Sequence, residues 1–543
     1  MYHKDIPSGK GVPKMKRYTA NELNQLSKED MIRLVMQLQK QNAFFEERLA
    51  ASNAARFGRK TETLEALGQL SLFNEVEAAA DEKAAEPVLT GKTSGKKQKR
   101  KRQQDLSKLP RTVVPHELSD AELKEVFGTN KWTRLADEVY CKVEYHPAWQ
   151  EVLEHHVAVY AGKKKDSSER TVVRGEHSVE LIEKSIATPS LVAAVMNAKY
   201  VNAMPLYRIE QEFQRQDLNI SRQNMANWVI LSTDRCLVKM YDLLHKKLCQ
   251  ERVIQGDETT VKVVKDGRSA GSNSYMHVFR TGEFRTGTPI ILYKYAPNRG
   301  HDVAAAFLTD FSGYLETDAF GGYKALEREN PRIHACFCWA HARRDFANAI
   351  KALQPKEKTL AKGSVAETAL EKIAEIYRIE NELKTLTPEE RLSRRQMDIA
   401  PLVEDYFAWV KQESTKPVLS EYTTKGLHYS LNQEQQLRMF LTDGEIPIDN
   451  SATERAIRPF TVGRANWHLI DTPKGAEASA IVYSLVETAK ANNLKPYEYL
   501  ELLLQEISLH LYSGKYDPDD DTYLENLLPW AEALPRKCRK ASS

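Results

Sequence analysis

Three carboxylates in this 543-residue chain have the surroundings that metal-assisted phosphoryl chemistry requires. Asp257 lies in Arg252-Val-Ile-Gln-Gly-Asp257-Glu-Thr-Thr-Val, a strand-like run, and Asp318 ends Gly313-Tyr-Leu-Glu-Thr-Asp318. Each acid sits where an apolar strand meets a loop. Ala-Phe-Gly-Gly-Tyr follows Asp318, and its glycines let backbone pass close to a metal or a phosphate. Two Mg2+ ions roughly 3.5 to 4 Å apart, or Mn2+ in their place, need bridging and flanking oxygen ligands, so a third acid is required. Glu454 supplies it within Ile448-Asp449-Asn450-Ser-Ala-Thr-Glu454-Arg455-Ala-Ile-Arg458-Pro459. There Asp449 or Asn450 caps a short helix that Pro459 limits, with Glu454 in its first turn. Singly, each acid reads as a turn residue or half of a surface ion pair; together and in this order they point to catalysis.

A second group needs weighing. His334, Cys336, Cys338 and His341 put four potential ligands in eight residues. A Cys-x-Cys on a strand turns both thiols to one face, however, and His341 belongs to the next helix. Buried cysteines are therefore expected rather than zinc, with His341, Arg343 and Arg344 near the acids, contacting phosphate or the third carboxylate.

The elements that position the acids read as β-β-β-α-β-turn-β-α. Asp-Gly at 266 and 267 turns the first strand into Tyr275 to Arg280, and Pro289 to Tyr295 adds a third, which implies an antiparallel meander. Val303 to Phe311 reads as a helix, and Gly313 to Asp318 and Arg332 to Cys338 as strands. This order resembles the ribonuclease-H-like fold, in which the first strand and the strand after the first helix carry catalytic carboxylates. A multidomain α+β chain is expected, its core at 251–346 and 431–490 interrupted by an Ala/Glu/Lys/Leu-rich helical insertion at 347–430.

Ahead of the core, apolar positions recur at helical spacing between Thr19 and Arg56, which predicts an amphipathic helix or coiled coil within 1–74. A charged linker follows at 75–105; Lys96, Lys97, Lys99, Arg100, Lys101 and Arg102 belong to its basic run. It reads either as a solvated charge run or as an arm that neutralises phosphates. A small β-containing module is expected at 106–173, with strands at Glu138 to Val143 and Val152 to Tyr160. Region 174–250 reads as successive helices in which Leu206 to Gln216, a short turn and a helix capped by Ser221 resemble a helix-turn-helix, or an ordinary helical hairpin. The tail, 491–543, is helical and then acidic, and Asp517 to Asp521 read as a solvated loop.

Composition bounds the rest. With 41% hydrophobic and 28% charged residues the chain is neither disordered, fibrous nor membrane-embedded, and a net charge of +3 means that any nucleic-acid footprint is local. Six cysteines without framework spacing, and no apolar leader or span, indicate a reduced, cytoplasmic protein.

Asp257-Glu-Thr, Leu315-Glu-Thr-Asp318-Ala-Phe-Gly-Gly-Tyr323, Cys338-Trp-Ala-His341-Ala-Arg343-Arg344 and Asp449-Asn-Ser-Ala-Thr-Glu454-Arg455-Ala-Ile-Arg458-Pro, followed by Gly463-Arg464-Ala-Asn466-Trp467, resemble the large transposase subunit of the insertion-sequence sixty-six family. Arg56-Phe-Gly-Arg-Lys-Thr-Glu62, Leu70 to Glu75, Pro205-Leu-Tyr-Arg208, Tyr483 to Lys490 and Leu528-Pro-Trp530 extend the resemblance to nearly the whole chain. It implies that Asp257, Asp318 and Glu454 form a DDE triad, and that Arg208 lies in a DNA-binding helical region. It also implies small accessory proteins encoded beside the transposase. Many members carry paired Cys-x-x-Cys sequences before the helical region; residues 106–165 here hold only Cys141, which argues against zinc there. Ala465 replaces a usually basic residue.

The expected function is strand cleavage and strand transfer at the ends of an insertion sequence. Arg455, Arg458 and Arg464, with Asn466 and Trp467 beside them, would contact DNA. Double-stranded DNA, as terminal inverted repeats and as target, is the partner, and synapsis of two ends implies a homodimer or larger assembly that is nucleoid-associated when bound. The competing readings are a structure-selective nuclease without strand transfer and a catalytically silent binder of terminal repeats.

Overall fold

The computed structural model describes residues 27–36, 151–163, 170–174, 178–269, 271–285, 287–352, 362–416, 420–517 and 519–541. The chain divides into one unit of Met1–Gly58 with Val179–Lys540 and a second of Arg59–Ser178 with Ala541–Ser543. Of the expected N-terminal helix, residues 28–36 are described and helical. The rest of that helix, the basic run from Lys96 to Arg102 and the strand expected at Glu138 to Val143 lie outside the described residues.

In the second unit, strands β1 (Val159–Lys163) and β2 (Arg170–Arg174) pair antiparallel, from Val159 with Arg174 to Lys163 with Arg170. The strand expected from Val152 begins instead at Val159. Val152 and Leu153 are 91% and 61% exposed, so no buried face holds that run extended.

The first unit opens with helices α1 (Pro189–Met196), α2 (Leu206–Arg215), α3 (Arg222–Ser232) and α4 (Val238–Leu248). The Ser221 hydroxyl accepts from Asn224 N at 3.2 Å, so the capped second helix starts where the sequence places it. It runs through a π segment, Thr233–Leu237, directly into α4.

The sheet follows as β3 (Val253–Val261), β4 (Ser274–Thr281), β5 (Ile291–Ala296), helix α5 (His301–Phe307), β6 (Gly313–Thr317), helix α6 (Gly321–Glu329), β7 (Ile333–Phe337) and helix α7 (Trp339–Lys351). Its strand order is β5-β4-β3-β6-β7, antiparallel through the first three and parallel from β3 to β6 and β6 to β7. The expected meander is present. The stretch after Asp318, read as a turn, is instead a helix: Tyr323 and Leu326 are buried one turn apart, giving it an apolar side to pack.

Helices α8 (Val365–Glu382), α9 (Pro388–Arg394), α10 (Ala400–Ser414) and α11 (Glu421–Asn432) occupy the stretch read as a helical insertion. The chain then returns as α12 (Ser451–Trp467), α13 (Pro473–Ala491) and α14 (Pro496–Tyr512). Pro459 does not limit the helix of Glu454, contrary to the sequence reading. It removes one N–H from the ladder, but Ala452, Ala456, Ile457, Phe460 and Gly463 bury one side of α12 along its length, and that burial carries the helix through.

Edge strand β5 is covered by α13. Ser484 Oγ accepts from Tyr293 N at 2.7 Å, while Thr488 Oγ1 accepts from Ile291 N at 3.0 Å and donates to Ile291 O at 2.9 Å. Helix hydroxyls thus satisfy backbone groups that would otherwise template a further strand.

Candidate active site

Strand periodicity brings the two aspartates together. The parallel ladder between β3 and β6 ends at Gln255 opposite Glu316, and Asp257 and Asp318 each lie two residues further on. Two residues is one full pleat, so Asp257 leaves the face of Gln255, while Asp318 is the residue just past β6, within charge reach of Asp257 where the two strands separate at their C-terminal ends. Val278 pairs with Asp257 and with Tyr293, whose hydroxyl donates to Ala456 O, so this face is the one that α12 covers.

Segment 448–450 seats α12 on the sheet. Asn450 Nδ2 donates to Gly256 O at 2.8 Å, and its backbone N–H donates to Cys338 Sγ at 3.2 Å. Gln255 Nε2 donates to both Glu316 Oε2 at 3.1 Å and Asp449 O at 3.2 Å. Asp449 Oδ1 accepts from Ser451 N at 2.9 Å. Asn450 stands at the cap position, yet its side chain is spent on strand β3 rather than on the helix. A Cβ at Gly256 would meet the Phe279 ring at 3.1 Å, so any larger residue there requires the ring to give by a few tenths of an ångström. Glu454 falls in the first turn of α12, with Arg344 of α7 at 3.5 Å.

The charges of these acids reach one another. Asp257 is pushed up to about 7, first by burial, then by Glu258, Asp318 and Glu454, against the Glu258 N–H that donates to its carboxylate at 2.8 Å. The three carboxylates offer only oxygen donors, the set that hard divalent cations prefer, and a cation would relieve their repulsion. Among the described residues no three such groups stand close enough to form a metal cluster as they are. Arginines hold two of the acids instead: Arg299 Nη2 lies 3.1 Å from Asp318 Oδ2, and Arg344 pairs with Glu454.

Arg299 is the main residue that sequence reading missed. It also pairs with Glu258, whose side chain is 1% exposed, and its guanidinium lies 3.9 Å from the centre of the Phe320 ring. Tyr323 donates to the other Glu258 oxygen at 2.7 Å. Burial raises Glu258, opposed by Tyr323 and Arg299. Nothing in Pro297-Asn-Arg-Gly-His signals this role, which depends on the loop before α5 folding back over β3.

His277 lies opposite Glu258 on β4 and is buried beside Arg299 and Phe320, where burial pushes its imidazole down to about 4. Arg299 lowers it further, and Asp302 acts in the opposite sense. A histidine depressed in the folded state contributes stability above its unfolded pKa of about 6.5, and loses it as pH falls toward 4. Relative to His277→Phe, the protein should lose on the order of 2 kcal/mol between pH 7 and pH 5, read by urea unfolding at the two pH values. A parallel response in both proteins would exclude His277 as the source.

The remaining candidates are dispersed. Burial pushes His341, near the start of α7, down to about 4, aided by Arg344 and opposed by Asp318 and Asp449, so it lies within electrostatic reach of the site. Arg343 and Arg458 are exposed. Arg455 pairs with Glu283 at 2.7 Å. Arg464 is drawn to the end of β3, donating to Thr259 Oγ1 at 3.0 Å and to Thr260 O. Asn466 Nδ2 donates to Ala203 O at 3.1 Å, and Trp467 packs on Phe460 with ring centres 5.5 Å apart. Arg208 is exposed on α2. Cys336 is buried in β7, whereas Cys338 is the residue before α7 rather than a strand residue; burial raises both thiols far above their ordinary range, which disfavours the thiolates that zinc needs.

A sequence profile described as "Transposase IS66 family" matches residues 184–478, more than half of the chain. The chain belongs to this family. Two further profiles match either side of it: "Transposase C of IS166 homeodomain" at residues 45–114 and "IS66 C-terminal element" at 484–530. The first of these spans Lys96 to Arg102. The IS66 chain is also similar to three proteins of Sinorhizobium fredii (strain NBRC 101917 / NGR234). Uncharacterized protein y4qI is 28% identical over 384 residues, 68% of this chain and 67% of the relative. Uncharacterized protein y4hP is 26% identical over 350 residues, 63% and 62% of the two chains, and y4jD is 26% identical over 370 residues, 67% and 69%. Among the described residues of this IS66-family chain no helix is long and apolar enough to cross a membrane.

Proposed function

We propose that the chain is a DDE transposase that cleaves DNA strands at insertion-sequence ends and joins them to target DNA, with Asp257, Asp318 and Glu454 as its catalytic acids. One observation carries this reading. Two aspartates stand within charge reach of each other where adjacent parallel strands part, and Asn450 fastens the helix bearing Glu454 to the strand of Asp257. Three antiparallel strands continued by two parallel ones, with β3 at the centre, support a ribonuclease-H-like core.

Two divalent ions, Mg2+ or Mn2+, held by these acids would activate the attacking oxygen and stabilise the departing 3′ oxygen of an in-line displacement. The chain's own groups set the stage for both steps. Gln255 and Asn450 fix the relative position of β3, β6 and α12, so the acids are placed before substrate arrives. Arg299 holds the Asp318 carboxylate toward Glu258, and Arg344 holds Glu454. Arg343, Arg344, Arg455 and Arg458 contribute positive charge around the acids, where a phosphate backbone would be positioned. Recognition of the ends falls to the homeodomain-like region at 45–114 with its basic run, and to α2 and α3, whose exposed Arg208, Arg222, Gln223 and Asn224 are of the types that contact phosphates and bases. Synapsis requires two or more copies. Ile32, Val35 and Met36 are 53%, 47% and 56% exposed on the described part of the N-terminal helix, and they offer an apolar side for self-association. Small accessory proteins of the same element, and action at the nucleoid in the cytoplasm, complete the proposal.

The test is cleavage and joining of the element's own terminal DNA with Mg2+ or Mn2+. Wild type should produce joined product, and Glu454→Gln should produce none while binding the same DNA. Joining that survives in Glu454→Gln would exclude this residue as the third acid.

A further inference from the structure

A groove opens between the C-terminal end of β3 and the second half of α12, lined by Thr260, Lys262, Asn273, Thr461, Arg464 and His468. We propose that this groove binds the sugar-phosphate backbone of the DNA strand beside the cleaved phosphate, about three nucleotides away from it. The inference rests on the reading of Asp257 and Glu454 as catalytic acids and adds where the flanking substrate runs.

The lining chemistry suits a phosphodiester. Hydroxyl, amide, ammonium, guanidinium and imidazole groups line the groove, and no carboxylate does. Arg464 has one nitrogen, Nη1, engaged with Thr259 and Thr260, which fixes the guanidinium on the wall while Nε and Nη2 have no partner among the described residues. The walls are tied together. Ile470 N donates to Lys262 O at 2.9 Å, Val264 N donates to Ile470 O at 2.9 Å, and Lys265 pairs with Asp471 at 2.7 Å, so the segment after α12 is fastened to the continuation of β3. A preformed wall costs little ordering when ligand binds.

Both walls start at a catalytic acid and measure the same distance. From Asp257 to Thr260 is three strand residues, about 10 Å along the backbone, with the Thr260 side chain on the other, exposed face of the strand. From Glu454 to Thr461 is seven helical residues, also about 10 Å. Phosphates of a duplex strand advance roughly 3.4 Å along the axis per nucleotide, so a strand whose reacting phosphate lies at the acids reaches the groove about three nucleotides on. The exposed Arg458 lies between Glu454 and Thr461 on the same helix, which keeps the intervening path positive.

The experiment uses the full-length protein and duplex DNA carrying the element's end. A photoreactive benzoylphenylalanine at position 461 should crosslink to the strand within about three nucleotides of the cleaved phosphate. Lys262→Glu combined with Thr461→Glu should weaken binding about tenfold at 150 mM salt and lower the salt slope by about one, with an unchanged circular-dichroism spectrum and melting temperature. As a second pair, Lys262→Gln with Thr461→Ala should show a smaller loss in the same direction. Crosslinks that fall only more than six nucleotides away, or folded variants with wild-type affinity and slope, would overturn the groove assignment. Glu454→Gln assayed alongside separates the two readings: if it abolishes cleavage while the crosslinks are misplaced, the acids stand and the groove alone fails.

Discussion

Asp257→Asn should abolish strand cleavage and joining, by at least ~10^3-fold or roughly 4 kcal/mol of transition-state stabilisation, and yet make the metal-free protein more stable. The two effects have one cause. Asp257 is held up to about 7 by burial and by the charges of Glu258, Asp318 and Glu454, so its carboxylate is an unfavourable charge in the folded protein unless a cation is bound. The folded protein keeps a proton that the unfolded chain releases from about pH 4 upward. Stability from this group is therefore lost as pH rises toward 7 and is flat beyond. At pH 8 in EDTA the asparagine variant should exceed wild type by roughly 2–4 kcal/mol in urea unfolding, and at pH 5 by much less. Millimolar Mg2+ should narrow the gap at pH 8. An asparagine variant less stable than wild type at pH 8 would show that the carboxylate is satisfied without a cation, and the triad would lose its electrostatic basis. His277 acts with the opposite sign over an overlapping window, so wild type should show a shallow pH response that either substitution steepens.

The positions of Asp257 in β3 and of Asp318 just past β6 were legible because strands announce themselves. Alternation and the Asp-Gly turn define β3, the next two strands follow at short range, and a carboxylate at a strand's end is visible in one dimension. Helix starts were legible where a side chain makes the cap, as at Ser221. What failed depended on tertiary burial. Pro459 looks like a stop, but the apolar side of α12 overrides the lost hydrogen bond. Gly-Gly after Asp318 looks like a turn, but Tyr323 and Leu326 give α6 a buried side. The support of the acids was invisible for a different reason: Arg299 meets Glu258 and Asp318, and Asn450 meets Gly256, across long stretches of sequence, and a single chain records no such pairing.

The helical stretch between the two halves of the core also has a structural task, and Arg395 tests it. Arg395 and Glu380 are both buried; Nε donates to the carboxylate at 3.0 Å, and Nη1 donates to Phe440 O at 2.7 Å and Asp443 O at 2.9 Å. Arg391, one helical turn earlier, donates to Gly444 O at 2.7 Å and lies 3.6 Å from the centre of the Phe284 ring. Two arginines thus tie α8 and α9 to residues 440–444, the run that leads into Asn450 and Glu454. Replacing Arg395 with methionine should cost about 3–5 kcal/mol, because Glu380 is left as an uncompensated buried charge and two carbonyls lose their donor. Adding Glu380→Leu should recover part of that loss, since removing both charges costs less than stranding one. Urea unfolding of the single and double variants decides the matter, and a single variant within about 1 kcal/mol of wild type would exclude the buried pair as a support. If the double variant regains stability while cleavage stays impaired, the carbonyl contacts of Arg395 matter for more than stability: they hold the approach to α12 in the register that keeps Glu454 over Asp257 and Asp318.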